Sequence, residues 1–243
     1  MRQYLGRTFL ACILACLFLT VACDKDDTIL YGESTYGDIV NGEFLSDQGF
    51  TYIIKEQVCE GDITQVQRAY ITCDILKKIS DKKYEIRLLS FTAPLVKDPL
   101  FRSEMTEEQT LDLGEDGIIL NDAWTSRKYL NLRLVFPFIA NAGVTHRIWL
   151  VSEDSEPAQD TLRLTLCHNA YGDTLKYTDE GETSTNEGEI SWGISAVCFP
   201  IDGCLPSGKT SMPIKLTYRT FTVENNDYTP RTREDSRTGV FKK

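Results

Sequence analysis

The chain of 243 residues carries 36 acidic and 26 basic side chains, a net charge of −10, with 42% apolar residues and eight cysteines. A balance that negative offers no basic face to nucleic acid phosphates and argues against direct adhesion of the chain to anionic lipid. The length is enough for one large β domain or two small ones, each with a buried core.

Arg2 and Arg7 precede the apolar run Phe9 to Ala22, which is long enough for a secretory signal and short for a membrane span. The run ends in "TVAC", which resembles the lipobox of bacterial lipoproteins: small Ala22 precedes the cut, Cys23 becomes the first mature residue, and Thr20 stands where that motif usually has leucine. The resemblance implies acylation of Cys23, with residues 1–22 removed. Several acyl chains bury enough methylene to hold a soluble body on a bilayer, so the first expected partner is a membrane reached through the lipid anchor. The acids in Asp24–Asp27 resemble the surface-export signal of Bacteroidales-type lipoproteins and also read as a solvated linker. The outer membrane, facing outwards, is the expected location, with a periplasm-facing placement as the alternative. Losing two arginines and no acid from a net charge of −10 leaves the mature chain at −12.

After Cys23 the dominant pattern is alternation with period two. Leu130, Leu132 and Leu134 point one way while Asn131 and Arg133 point the other, and Leu162, Leu164 and Leu166 repeat the pattern against Arg163 and Thr165. Similar runs occur in "GFTYIIKEQV", "RAYITCDILKKI", "KYEIRLLSF", "THRIWLVSE", "EISWGISAVCF" and "MPIKLTYRTFTV", separated by turn segments such as "NGEF", "SDQGF" and "SDKK". This is an all-β chain, built as barrel, sandwich or both. Four strands are expected between Thr28 and Pro94, and five or more between Ile118 and Glu224. Between them alternation fails; Asp98–Gln109 suits a short helix, and the chain is expected to change domain near Leu111, giving a tethered first domain over 23–110 and a second over 111–243. The acidic loop Tyr177–Glu189 is expected to be mobile, and the polar tail from Asn226 disordered, with Val240 and Phe241 the residues able to dock.

Removal of Cys12 and Cys16 with the signal, and acylation of Cys23, leave Cys59, Cys73, Cys167, Cys198 and Cys204. Five thiols cannot all pair within one chain. Cys198 and Cys204 bracket the turn-like "FPIDG" and form the candidate disulfide; the other reading is that the cysteines are small core residues. His168 falls on the leucine face of its strand, as a buried imidazole, with Cys167 opposite, so the neighbours form no dyad. His146 follows the turn "NAGVT" and is expected to be exposed. No zinc or EF-hand spacing is present, "PSGKT" lacks the first P-loop glycine, and neither a metal nor any other cofactor is expected. Tyr129, Asn131 and Arg133 share the face opposite the leucines, and Trp124 precedes their strand at the domain junction; Trp124, Tyr129 and Asn131 are the candidate residues for inter-domain contact or for a binding patch.

The segments "YGDIVNGEFLSDQGFTYII", "GDITQVQRAYITCDIL", "AWTSRKYLNL", "HRIWLV", "LTLCHNAYGD" and "EISWGISAVCF" together resemble the NigD-like lipoproteins, over nearly the whole mature chain. The resemblance implies an OB-like amino-terminal barrel followed by a β-sandwich, and an association with bacteriocin immunity; it brings no catalytic residues. The expected function is therefore that of a lipid-anchored binding protein of the cell envelope, not an enzyme, whose partner is a protein such as a bacteriocin; the alternative is an accessory surface lipoprotein that binds a glycan or another protein.

Overall fold

The computed structural model describes residues 30–153, 160–174, 176–177, 183–184, 190–224 and 227–242. The signal segment, Cys23 and Asp24–Asp27 lie outside the described residues, as does most of the acidic loop Tyr177–Glu189.

The first body holds β1 (Leu30–Val40), β2 (Glu43–Ser46), β3 (Thr51–Gln57), β4 (Arg68–Ser80) and β5 (Lys83–Thr92). They close into a barrel in the order β1-β2-β3-β5-β4, with β3 parallel to β5 and β4 returning antiparallel to β1. This is an OB-like barrel. Asn41 and Gly42 both take positive φ (52° and 78°), as a two-residue hairpin turn requires, and so fix the β1–β2 register. Gly37 is dictated by close approach: a Cβ there would stand 2.5 Å from the Leu45 carbonyl oxygen and 2.6 Å from the Phe44 ring. The alternating residues Phe44, Tyr52, Ile71, Cys73, Ile75, Ile86 and Leu88 fill the interior. Their neighbours Arg68, Tyr70 and Thr72 are thereby turned to the outside of β4.

Two short strands follow at once, β6 (Leu95–Val96) and β7 (Leu100–Phe101), and both already pair with the second body. The helix α1 (Glu107–Asp112) comes later than the expected Asp98–Gln109, because Thr106 and Gln109 form a reciprocal capping box that sets its start; Leu111 lies within it. The remaining strands are β8 (Ile119–Ser126), β9 (Tyr129–Ile139), β10 (Arg147–Ser152), β11 (Leu162–Asn169), β12 (Lys176–Tyr177), β13 (Thr183–Ser184), β14 (Ile190–Pro200), β15 (Ser211–Glu224) and β16 (Asp227–Lys242). They make a sheet β6-β14-β9-β8 facing a sheet β16-β15-β11-β10-β7, with β12 and β13 as a separate pair. Leu130, Leu132, Leu134, Val197 and Phe199 from the first sheet pack on Leu162, Leu164, Leu166, Ile214 and Leu216 from the second.

The tail read as disordered is instead β16, paired along β15 from Ser211↔Lys242 to Glu224↔Asp227. Phe241 is fully buried in the sandwich core, whereas Val240 points outwards. A sheet-edge strand can be polar over most of its length when one apolar residue is enough to dock it, which is why composition misleads here. Phe241→Ala is expected to lower stability by about 3–5 kcal/mol, read as a lower urea midpoint with an unchanged slope.

Candidate functional site

The β1–β4 register sets Asp38 opposite Arg68, both on the outside of the barrel, and this face packs against the outer face of β8, β9 and β14. The Arg68 guanidinium is fully buried in the seam. Nη1 donates to Asp38 Oδ1 at 2.9 Å and to Asp47 Oδ1 at 3.0 Å; Nη2 donates to Asp47 Oδ2 at 2.6 Å and to Asn131 Oδ1 at 2.9 Å. Its Cζ lies 4.1 Å from the centre of the Tyr129 ring. Asn131 in turn donates to Ser126 Oγ at 2.7 Å, and Ser126 donates to Asp47 Oδ2 at 2.5 Å, so the two bodies share one closed hydrogen-bond network.

Burial alone would favour loss of the Arg68 proton; the hydrogen bonds and charge of Asp47 outweigh it and hold the guanidinium above its ordinary pKa. The same burial, together with nearby Asp38, pushes the Tyr129 hydroxyl up to about 12. Two carboxylates against one guanidinium leave an excess negative charge, which Arg127, 3.9 Å from Asp38, partly offsets from the half-exposed rim.

Tyr129 and Asn131, singled out from sequence, are both buried at this seam, and Trp124 sits at its edge with its ring 5.3 Å from Tyr36, which stacks 4.7 Å from Tyr70. Trp124 also lines two adjoining clefts, one of about 330 Å³ between β8 and β16, the other of about 440 Å³ beside Gln48, Ser126 and Arg127. Arg68, Asp38 and Asp47 carried no sequence signal: a charged residue at an outward strand position, or in a "SDQG" turn, reads as solvated.

The disulfide expected between Cys198 and Cys204 does not form; both are free thiols. Val197 and Phe199 face the sandwich core, so Cys198 between them is turned to the seam, against Arg68, while Cys204 lies inside the core. Burial raises the pKa of both thiols, Cys204 to about 11.

His146 is a second correction. Its side chain is 6% exposed and joins a buried chain at one end of the sandwich, where Nδ1 lies 2.9 Å from His168 Nε2 and Nε2 lies 3.0 Å from Asp173 Oδ2. His168 Nδ1 is 3.2 Å from the Gly117 carbonyl oxygen, to which it can only donate, so His168 Nε2 accepts from His146 and one further proton lies between His146 and Asp173. Phe136 caps both rings at 5.0 and 5.3 Å, and Gly193 leaves room for it, since a Cβ there would stand 3.0 Å from the ring. Burial, then the charge of His146, lower the His168 pKa to about 4. All four ring nitrogens are committed within the protein, which leaves neither imidazole a lone pair for a nucleophile. Among the described residues no group of three metal-ligating side chains is placed to hold an ion.

Residues 102–231 match the family described as the NigD-like C-terminal beta sandwich domain. Among solved structures, the chain is similar to a NigD-like immunity protein from Bacteroides caccae, with 16% identity and a TM-score of 0.55 over 84% of this chain and 90% of that one. It is similar to a protein described as toxin-related from Parabacteroides distasonis, with 19% identity and a TM-score of 0.56 over 85% and 90%. A third, described as a lipoprotein, comes from Bacteroides fragilis, with 14% identity and a TM-score of 0.56 over 88% and 98%. At these identities the likeness is one of fold. No curated protein matches the sequence.

Arg68→Met is expected to cost about 3–5 kcal/mol, because it leaves Asp38 and Asp47 buried without their cation. It should split one cooperative urea transition into two as barrel and sandwich uncouple, and adding Asp47→Asn should recover part of the loss. The neutral His168 makes a separate, pH-dependent contribution. Its folded pKa of about 4 lies below the ordinary 6.5, so the unfolded chain binds the extra proton first. The contribution is complete above pH 6.5 and lost as pH falls towards 4. Comparing urea midpoints across that window, His168→Gln should show a shallower decline than the parent.

Proposed function

The chain belongs to the NigD-like family, and on that premise we propose that it is a bacteriocin-immunity lipoprotein: acylated Cys23 fixes it to the outer membrane, facing outwards, and it protects by binding a protein toxin, without catalysis. The observation that carries this reading is the outer face of the sheet β6-β14-β9-β8. The barrel covers Tyr129 and Asn131 on one end of that face, but further along it Ile194 is 76% exposed and Trp192 44% exposed. Val135 and Ile119 lie in register beside Ile194. An apolar surface continuous with an intramolecular protein interface suits a second protein. The commitment of both imidazoles to internal hydrogen bonds supports a binding role, and the acylated cysteine supplies the envelope location.

One observation favours a second reading. The clefts beside Trp124 set an indole next to the polar groups of Gln48, Ser126 and Arg127, a combination that also suits a glycan. Trp124→Ala separates the two readings, since it would abolish glycan binding in titration calorimetry and leave toxin protection intact.

Two outcomes are expected in cells. Deleting the gene should sensitise them to a cognate toxin, and restoring it with Ile194→Glu should fail to protect although the protein folds and fractionates normally; full protection by that variant would overturn the assignment of the face. Cys23→Ala should move the protein from the membrane to the soluble fraction.

A further inference from the structure

The net charge argues against adhesion to anionic lipid, yet charge is not spread evenly. In the β4–β5 hairpin, the seven residues Lys77 to Lys83 hold four lysines and one acid, Asp81. The hairpin tip from Lys77 to Lys82 is exposed throughout, and Ile79 adds an apolar side chain that is 46% exposed. Lys78 pairs with Asp81 and Lys83 with Glu43, while Lys77 and Lys82 make no ion pair among the described residues.

The position of this tip relative to the anchor follows from strand register. Leu30, the first described residue, pairs with Ile75, and β1 runs antiparallel to β4. Walking back from Leu30 towards Cys23 therefore leads the same way as walking forward from Ile75 to the hairpin turn. Beyond that pair the hairpin continues through Leu76–Ser80 to the turn at Asp81 and Lys82, about 20 Å at roughly 3.3 Å per residue. The seven steps of chain between Cys23 and Leu30 span at most about 25 Å. A tether so nearly matched in length to the hairpin leaves the lysines within reach of the headgroups.

We propose that the Lys77–Lys83 hairpin is a membrane-docking element, laying its lysines and Ile79 on the anionic lipid headgroups of the bilayer that holds the anchor. The inference rests on acylation of Cys23. Its partner is set by charge complementarity: ammonium groups at the surface of an anionic bilayer are attracted within a Debye length, about 8 Å at physiological salt. Docking by the hairpin supplements the acyl chains and sets the orientation of the barrel, with its β4–β5 tip down.

The test uses the full protein as processed by the cell, mixed with vesicles of phosphatidylcholine alone or with phosphatidylglycerol, footprinted at lysine with an acetylating reagent and read by mass spectrometry. In the anionic vesicles, Lys77 and Lys82 should react at least fivefold more slowly than in the neutral ones. High salt should restore their reactivity, and Lys128 and Lys209 on the sandwich should not change. Flotation with both vesicles and equal reactivity at Lys77 and Lys82 would overturn the docking and leave the anchor standing. Protection independent of lipid charge and lost in the triple variant Asp24→Asn, Asp26→Asn, Asp27→Asn would show the lysines covered by the acidic tether, which also overturns it. Flotation with neither vesicle would remove both anchor and docking, while flotation with anionic vesicles alone would remove the anchor and keep the docking.

Discussion

A guanidinium taken out of water must recover in hydrogen bonds what it loses in hydration, and Arg68 does so through both terminal nitrogens with groups from both bodies, while its Nε is buried without a partner among the described residues. Asp38 and Asp47 come from the barrel, Asn131 and the Tyr129 ring from the sandwich. Neither body alone satisfies it. A well-packed apolar seam could be as stable, since desolvating an ion pair costs much of what the pairing returns. What the charged cluster adds is direction. An apolar patch tolerates sliding, but a planar donor bonded to Asp38, Asp47, Asn131 and Ser126 fits one placement, and Asn131 and Ser126 tie β8 and β9 into that placement.

This constraint divides one sheet face into a covered part and an exposed part. Along the outer side of β9, the positions Tyr129, Asn131, Arg133 and Val135 follow one another at the two-residue repeat of the strand, and the barrel covers the first two. Beyond its edge the same face continues as exposed apolar surface at Ile194. The Tyr70, Tyr36 and Trp124 rings stand at the transition, half in the seam and half in solvent. A protein partner meeting Ile194 would thus extend a surface already built for protein contact, and its approach would be framed by the rigid barrel.

Parity was the most legible property of the sequence. Alternation alone identified the half-buried strands, set Tyr129 and Asn131 opposite the leucines, and put His168 inside. It gave no access to pairings between distant segments. His146 follows a turn and looks exposed, but its partners His168 and Asp173 lie 22 and 27 residues further along and reach it through the β10–β11 pairing. Arg68 finds Asn131 across 63 residues and two bodies. Proximity in sequence misled at Cys198 and Cys204, where a short spacing suggested a bridge, although the parity of Val197 and Phe199 had already turned Cys198 outwards. Two-residue strands such as β6 and β7 are too short to show any period, which is why alternation failed between the two strand clusters.

If the hairpin docks as proposed, seam and hairpin act together on the placement of the apolar face. An exposed isoleucine and tryptophan on a lipid-anchored protein run the risk of partitioning into the bilayer that carries them, which would remove them from any soluble partner. Flexible domains joined by a linker would permit this. A barrel resting on headgroups through its lysines, with the sandwich locked to it by Arg68, does not, because the angle between the Ile194 face and the membrane is then set by strand geometry at both ends. On the proposed anchoring and docking, the buried arginine would thereby set the angle at which the Ile194 face is presented.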